Sequence, residues 1–231
     1  MFRQKTLLKK PKHIAFNIKN IEYWAEINSK EIKQALDLSN NRILETVDNC
    51  IKKNIVIFTF NVLGTNYRIN NFSDYMDSIV ELLDNLSKNP LIHENKVKIS
   101  VLGRWYDLPS KVVDSIKNVL NKTAEYDNYF LNLCLNYDGK EDIINALRVI
   151  IRSLQYEKIG PDQLSKSLVK ENIYSSYFIP PDLMVNTHNN IMDNFLLWDS
   201  TEAIAYFTGQ EWCDFDKKSF KKCLEFYKEN K

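Results

Sequence analysis

The chain has 231 residues, 44% hydrophobic and 12% aromatic, enough to build one sizeable domain with a proper core and too apolar for a disordered segment. Lys and Arg number 31 against 30 Asp and Glu, and the net charge of +1 argues against a broad nucleic-acid surface. Cys50, Cys134, Cys213 and Cys223 show no CxxC spacing, so neither a disulfide framework nor a zinc site is expected, and the compartment reads as reducing and cytoplasmic.

The elements follow in order. Residues 1–11 read as a basic, solvated tail, with Arg3, Lys5, Lys9 and Lys10, and Lys12 just beyond it. They lack the sustained apolar run of a secretion signal. A first strand is expected from His13 to Ile18. Ser29 can cap a helix running to about Lys53, with Ile32, Ala35, Leu36, Ile43, Val47, Cys50 and Ile51 on its buried stripe. Ile55 to Phe60 is the next strand and the longest apolar stretch, far too short to span a bilayer, so membrane contact is at most peripheral. Phe72 to Leu86 repeats the helical pattern. Val97 to Leu102 is a strand, and Ser110, after Pro109, opens a helix with Val113, Ile116 and Leu120 inward. Tyr129 to Leu135 is a strand with Cys134 as a small core residue, and Gly139 to Leu154 is a helix. Leu183 to Asn186 and Asn194 to Trp198 complete a set of strands, and Asp216 caps a last helix with Phe220, Leu224 and Tyr227 inward. Strands that are apolar on both faces and alternate with helices imply one α/β domain, residues 1–231, built on a central, mainly parallel six-stranded sheet flanked by helices.

The most informative stretch is Pro181 to Phe215, PDLMVNTHNNIMDNFLLWDSTEAIAYFTGQEWCDF. It resembles the C-terminal signature of the cis-prenyltransferases, the family of undecaprenyl diphosphate synthase. Pro181-Asp182-Leu183, Asn194-Phe195-Leu196-Leu197-Trp198, Tyr206-Phe207-Thr208, Trp212 and Phe215 supply the match. Further matches keep the family's order: Pro11 to Ala15 for its opening strand, Trp24 for the tryptophan of its DGNGRW loop, Phe58-Thr59-Phe60 with Asn66-Tyr67-Arg68, Val101-Leu102-Gly103 with Leu108-Pro109, and Asn136 to Lys140 with Ile143. The resemblance implies the family fold. It also implies the family reaction, the condensation of isopentenyl diphosphate onto an allylic diphosphate.

That reaction needs a magnesium-binding aspartate, a glycine-rich turn and arginines to hold the diphosphate. Here Lys19 stands at the aspartate, Asn20 and Glu22 at glycines, and Tyr23 at an arginine. Asn186 takes the place of the second diphosphate arginine, His188 and Asn189 those of a serine and a glycine, and Ile204 that of a metal-binding glutamate. No catalytic residue is assigned on this chain, and no metal or other cofactor is expected on it; the resemblance puts magnesium in an active partner. Residual phosphate binding could fall to Lys19, Arg68 and Thr187. Lys19 reads rather as a solvated loop lysine, and His188, with no paired cysteine or carboxylate at metal spacing, reads as a turn residue. Arg104 and Trp105 fit a surface or an interface. Tyr75, Met76, Ile79 and Leu83 correspond to the wall of the family's hydrocarbon tunnel or to plain core packing. Trp198, Tyr206, Phe207 and Trp212 correspond to its dimer interface or to burial within the monomer. The pattern implies a catalytically silent subunit supporting an active homologue, as a heterodimer or larger assembly. The alternatives are a divergent active transferase with Glu22 or Asp193 in a rebuilt site, and a stand-alone, homodimeric pseudoenzyme that binds a lipid or a protein.

Overall fold

The computed structural model describes residues 10–65, 71–156, 159–188, 190 and 193–231. In chain order the elements are β1 (His13–Asn17), α1 (Ile21–Ile27), α2 (Ile32–Lys52), β2 (Ile57–Gly64), α3 (Phe72–Leu86), α4 (Pro90–Glu94), β3 (Val97–Leu102), α5 (Ser110–Lys122), β4 (Tyr129–Tyr137), α6 (Gly139–Gln155), α7 (Lys166–Asn172), β5 (Leu183–Asn186), β6 (Ile204–Phe207) and α8 (Lys217–Asn230). The six strands form one sheet in the order β3-β4-β2-β1-β5-β6, every pair parallel. Among the described residues no helix is long and apolar enough to cross a membrane.

β1 lies mid-sheet and alternates between two cores. Ile14 and Phe16 enter the larger one with Phe58, Phe60, Leu131, Leu133 and Val185, beneath α2, α3, α5 and α8. Phe16 stacks on Phe60 at 4.8 Å between ring centroids, and Trp212 stacks on Phe215 at 5.3 Å against the same pair. Ala15 faces the opposite side, with Cys134, Tyr137, Met184, Phe195 and Leu196. Burial on both faces explains why the strands read as near-continuous apolar runs. All four cysteines are buried and free. Burial raises every one of their thiol pKa values, that of Cys213 to about 12, so they are protonated packing atoms.

Several expectations need correction. Asn194 to Trp198 is not a strand. It is a turn with Leu196 at φ 46°, which bends the chain away from the sheet. Phe195 and Leu196 are apolar because they fill the second core from that turn, and the sixth strand is Ile204–Phe207. The turn is fastened to α6, whose cap Asp138 accepts from Lys140 N and Glu141 N through Oδ1 and from Asn194 Nδ2 through Oδ2. Ser29 caps nothing: it sits at φ 51° after α1, and α2 begins behind Glu31, which shares a capping box with Gln34. Part of the stretch expected as a loop before it, Ile21 to Trp24, is helical. On α5 the buried positions are Val112, Ile116 and Val119, one residue earlier than expected at two of the three places. The cap at Asp216 and the inward faces of Phe220 and Tyr227 hold.

Across the sheet's second face runs a polar tie. His13 Nδ1 donates to the Ile179 carbonyl at 2.7 Å, which leaves Nε2 to accept from Thr59 Oγ1 at 2.8 Å, and Thr59 Oγ1 accepts from Asn132 Nδ2 at 3.0 Å. Burial lowers the His13 pKa from 6.5 to about 4. Asp142, also buried, accepts from Tyr174 N and Tyr137 OH, and desolvation raises its pKa from 3.8 to about 6.

Two outcomes follow from this packing. A Cβ at Gly139 would stand 2.0 Å from the Asn194 carbonyl oxygen and 2.8 Å from Leu197 Cβ. Gly139→Ala should therefore lower stability by about 2–3 kcal/mol in chemical denaturation; a change within about 0.5 kcal/mol would mean that the turn is not docked there. The pH dependence has two opposed contributions. His13, depressed in the fold, gives stability that is present above pH 6.5 and lost as pH falls toward about 4. Asp142, raised in the fold, gives stability that is present below pH 3.8 and lost as pH rises through about 6. Asp142→Asn keeps an acceptor for Tyr174 N, presents Nδ2 to the Tyr137 oxygen as a donor and removes the second contribution, so the variant should lose stability more steeply than the parent between pH 6.5 and 4, by a total of about 3 kcal/mol. Equal slopes for parent and variant would overturn this assignment.

Candidate functional site

In an open parallel sheet, ligands bind beyond the carboxyl ends of the strands, where the strand order reverses. Here the chain runs from β1 toward β2, β3 and β4 and then crosses back to place β5 on the other side of β1. The reversal therefore lies between β1 and β5. Each of three adjacent strands carries an asparagine at or near its carboxyl end: Asn17 pairs in register with Asn61 of β2 and with Asn186 of β5. Asn61 Nδ2 donates to Asn17 Oδ1 at 2.9 Å, and Asn17 Nδ2 donates to Asn186 Oδ1 at 3.1 Å and to Asp193 Oδ1 at 3.0 Å. Thr187 Oγ1 donates to the Asn17 carbonyl at 3.0 Å. The amides close the crevice by bonding to one another.

Above this row opens a cleft of about 350 Å³ lined by Lys19, Asn20, Glu22, Asn61, Tyr75 and Asp193, with apolar atoms of neighbouring residues. Lys19 Nζ lies 2.9 Å from Asp193 Oδ2, and Asp193 Oδ1 also accepts from Phe195 N. The two side chains are 17% and 37% exposed, so water screens the pair and its stabilising contribution is at most about 1 kcal/mol. Its consequence is electrostatic: the ammonium occupies the space beside the cleft's best-placed carboxylate. Glu22 is engaged with the Tyr75 hydroxyl, whose pKa burial and this contact raise. Asn61 Oδ1 is buried without a partner, the one amide acceptor of the row left open.

The magnesium that the family resemblance implies does not fit these residues. A divalent ion needs clustered oxygen ligands. Here a lysine holds one carboxylate, a tyrosine the other, and no group of three or more His, Cys, Asp and Glu among the described residues could hold a metal. Asn20 keeps the left-handed backbone expected of a glycine, at φ 56°, but adds a side chain where phosphate would need to approach the backbone closely. Among the described lining residues there is one cation against two carboxylates, an unfavourable field for a diphosphate.

The other candidates fall as follows. Thr187 is fully buried and spends its hydroxyl on Asn17, and Arg68 lies outside the described residues. His188 is more than a turn residue: its Nδ1 pairs with Glu211 and its ring meets Tyr23 edge-on at 5.4 Å. The partners are far apart in sequence and meet because β5 and β6 are neighbours, so spacing carried no signal for them. Met76, Ile79 and Leu83 are at most 3% exposed within the main core, while Tyr75 reaches the cleft mouth. Ile204 opens β6 and packs on the main core. Trp212 is 1% exposed and donates Nε1–H to the Ser39 carbonyl, which removes it from any interface. Tyr206 and Phe207 are half-buried on the edge strand β6, and Trp198 lines a separate groove of about 550 Å³ with Leu197 and Ile143. Arg104 pairs with Asp107, and Trp105 packs against the core.

Comparison with known proteins agrees with this architecture. The family model described as "Putative undecaprenyl diphosphate synthase" matches residues 22–231. A tritrans,polycis-undecaprenyl-diphosphate synthase (geranylgeranyl-diphosphate specific) of Thermoplasma acidophilum is 30% identical over 192 residues, covering 80% of this chain and 74% of its own. An isoprenyl transferase of Thermotoga maritima is 26% identical over 222 residues, covering 94% and 93%. The crystal structure of lavandulyl diphosphate synthase from Lavandula x intermedia in complex with dimethylallyl diphosphate superposes with a TM-score of 0.90 at 20% identity over 95% of each chain, a likeness of fold. The chain belongs to the undecaprenyl diphosphate synthase family, the cis-prenyltransferases.

Proposed function

We propose that this chain is a catalytically silent subunit that pairs with an active family member, which makes polyprenyl diphosphate from isopentenyl diphosphate and an allylic diphosphate. The observation that carries the reading is the Lys19–Asp193 pair: a fixed cation stands beside the carboxylate where the family reaction needs a metal ion. Three features support a partner. β6 is an edge strand with all four residues partly exposed, an open row of backbone donors and acceptors. Trp198 is only half-buried beside it. Ile144 and Ile151, seven positions apart on α6, are 41% and 52% exposed. The relatives named above are a synthase and a transferase, so an active chain with a rebuilt site is the competing reading, and Glu22 and Asp193 in one cleft are what favours it.

The decisive test is a prenyltransferase assay with magnesium, with and without an active homologue from the same genome. The expected result is no turnover alone and at least about twofold more turnover by the pair than by the homologue alone, a difference worth under 1 kcal/mol in the barrier yet easily measured. Turnover by this chain alone would overturn the reading. A second outcome concerns the cation. Lys19→Asp would leave three carboxylates at the cleft, and Mn²⁺ affinity read by electron paramagnetic resonance should rise at least about tenfold over the parent. Equal affinities would show that Lys19 is not what excludes the ion.

A further inference from the structure

Along the outer flank of α2 and α8 and down to the amino ends of β2 and β4, three shallow grooves run into one another. The first lies between the C-terminal half of α2 and the start of α8. It shares Lys53 and Lys221 with the second, which shares Lys10 with the third, beneath the first residues of β2 and β4. Together the walls carry nine Lys and Arg side chains against four Asp and Glu, on a chain whose net charge is +1. The charge is therefore segregated: the groove walls are strongly positive and the rest of the chain is net negative.

The carboxylates do not cancel it. Arg42 pairs with Glu45, Lys52 with Asp48 and Lys221 with Glu225, while Asp216 caps α8 through Ser219. That accounts for all four acids. Lys10, Lys12, Lys53, Lys217, Lys218 and Lys228 are exposed and form no ion pair with a carboxylate among the described residues. Beside Lys10 and Lys12, Val56 and Ile179 stand 39% and 48% exposed in the same groove.

We infer that this basic face docks on an anionic lipid surface. Unpaired lysines spread over a shallow face suit a plane of headgroups, and exposed aliphatic side chains among them suit the interface just below it. Duplex nucleic acid would match the charge but leave Val56 and Ile179 unused. The inference is independent of whether the cleft is catalytic.

The test is co-sedimentation with phosphatidylcholine vesicles, with and without about a third phosphatidylglycerol, across a salt series. Binding should need the anionic lipid and fade with salt. Each lysine near such a surface is worth about fivefold in partitioning, so Lys217→Gln with Lys218→Gln and Lys228→Gln should weaken binding about 100-fold. The same charge change at Lys111, Lys117 and Lys140, outside these grooves, should leave it within about threefold. Thermal melts of both variants that match the parent's confirm intact folds, as exposed sites predict. The inference is overturned if anionic vesicles do not bind the parent, if both variants weaken alike, or if duplex DNA binds the parent more tightly than the vesicles do.

Discussion

β1 is the element on which the other features depend. It is five residues long, hydrogen-bonded to β2 on one side and β5 on the other, and buried at every position. A strand so placed has no solvent face, so each side chain must satisfy a packing or hydrogen-bonding demand. Ile14 and Phe16 meet the aromatic stack of the main core. His13 ties three strands through Thr59 and Asn132. Asn17 alone reaches the crevice, and it is the hub of the amide row. A buried amide with unmet hydrogen bonds would cost about 1–3 kcal/mol. Once Asn17 is present, Asn61, Asn186 and Asp193 are therefore the groups that make it tolerable. The cleft floor is a set of mutually dependent polar residues rather than a collection of independent losses.

The same dependence explains the charge above the row. Asp193 is drawn in by Asn17 and by Phe195 N, which fixes a carboxylate at the mouth. A fixed carboxylate in a partly dry cleft favours a cation beside it, and Lys19 supplies one that cannot diffuse away. A metal and a lysine are alternative answers to one electrostatic demand, but they differ in what they leave over. A divalent ion beside one carboxylate keeps a net positive charge for a diphosphate. An ammonium beside the same carboxylate keeps none. Glu22 then makes the cleft net negative among its described residues.

Much of this was legible in the sequence, for identifiable reasons. The fold was, because runs such as Ile55 to Phe60 and Tyr129 to Leu135 are apolar on both faces and alternate with 3.6-periodic segments. The family was, because the matched segments from Pro11 to Phe215 form a well-marked frame. Asn194 to Trp198 misled because an apolar run signals burial, not extension, and only the backbone at Leu196 shows the bend. The Lys19–Asp193 and His188–Glu211 pairs were not legible, since each joins positions brought together only by strand order. A signal did exist for the amide row: three strands ending on or near asparagine. It becomes informative only once β1, β2 and β5 are known to be adjacent.

Frame and site answer to different energies, which is why one can persist while the other changes. Phe16, Phe60, Trp212 and Phe215 are each under 2% exposed, and truncating any such ring costs about 3–5 kcal/mol. A domain of this kind holds only about 5–15 kcal/mol in total, so two such losses would unfold it. The charged groups of a diphosphate cleft are partly solvated, and exchanging them alters stability by about 1 kcal/mol or less. A cleft of like charges would be destabilising when empty, whereas the lysine–aspartate pair and the amide row carry no such repulsion and leave every aromatic contact in place. The fold is thus under no energetic pressure to keep any particular set of charges at the cleft, because the aromatic core carries the stability and the cleft residues do not.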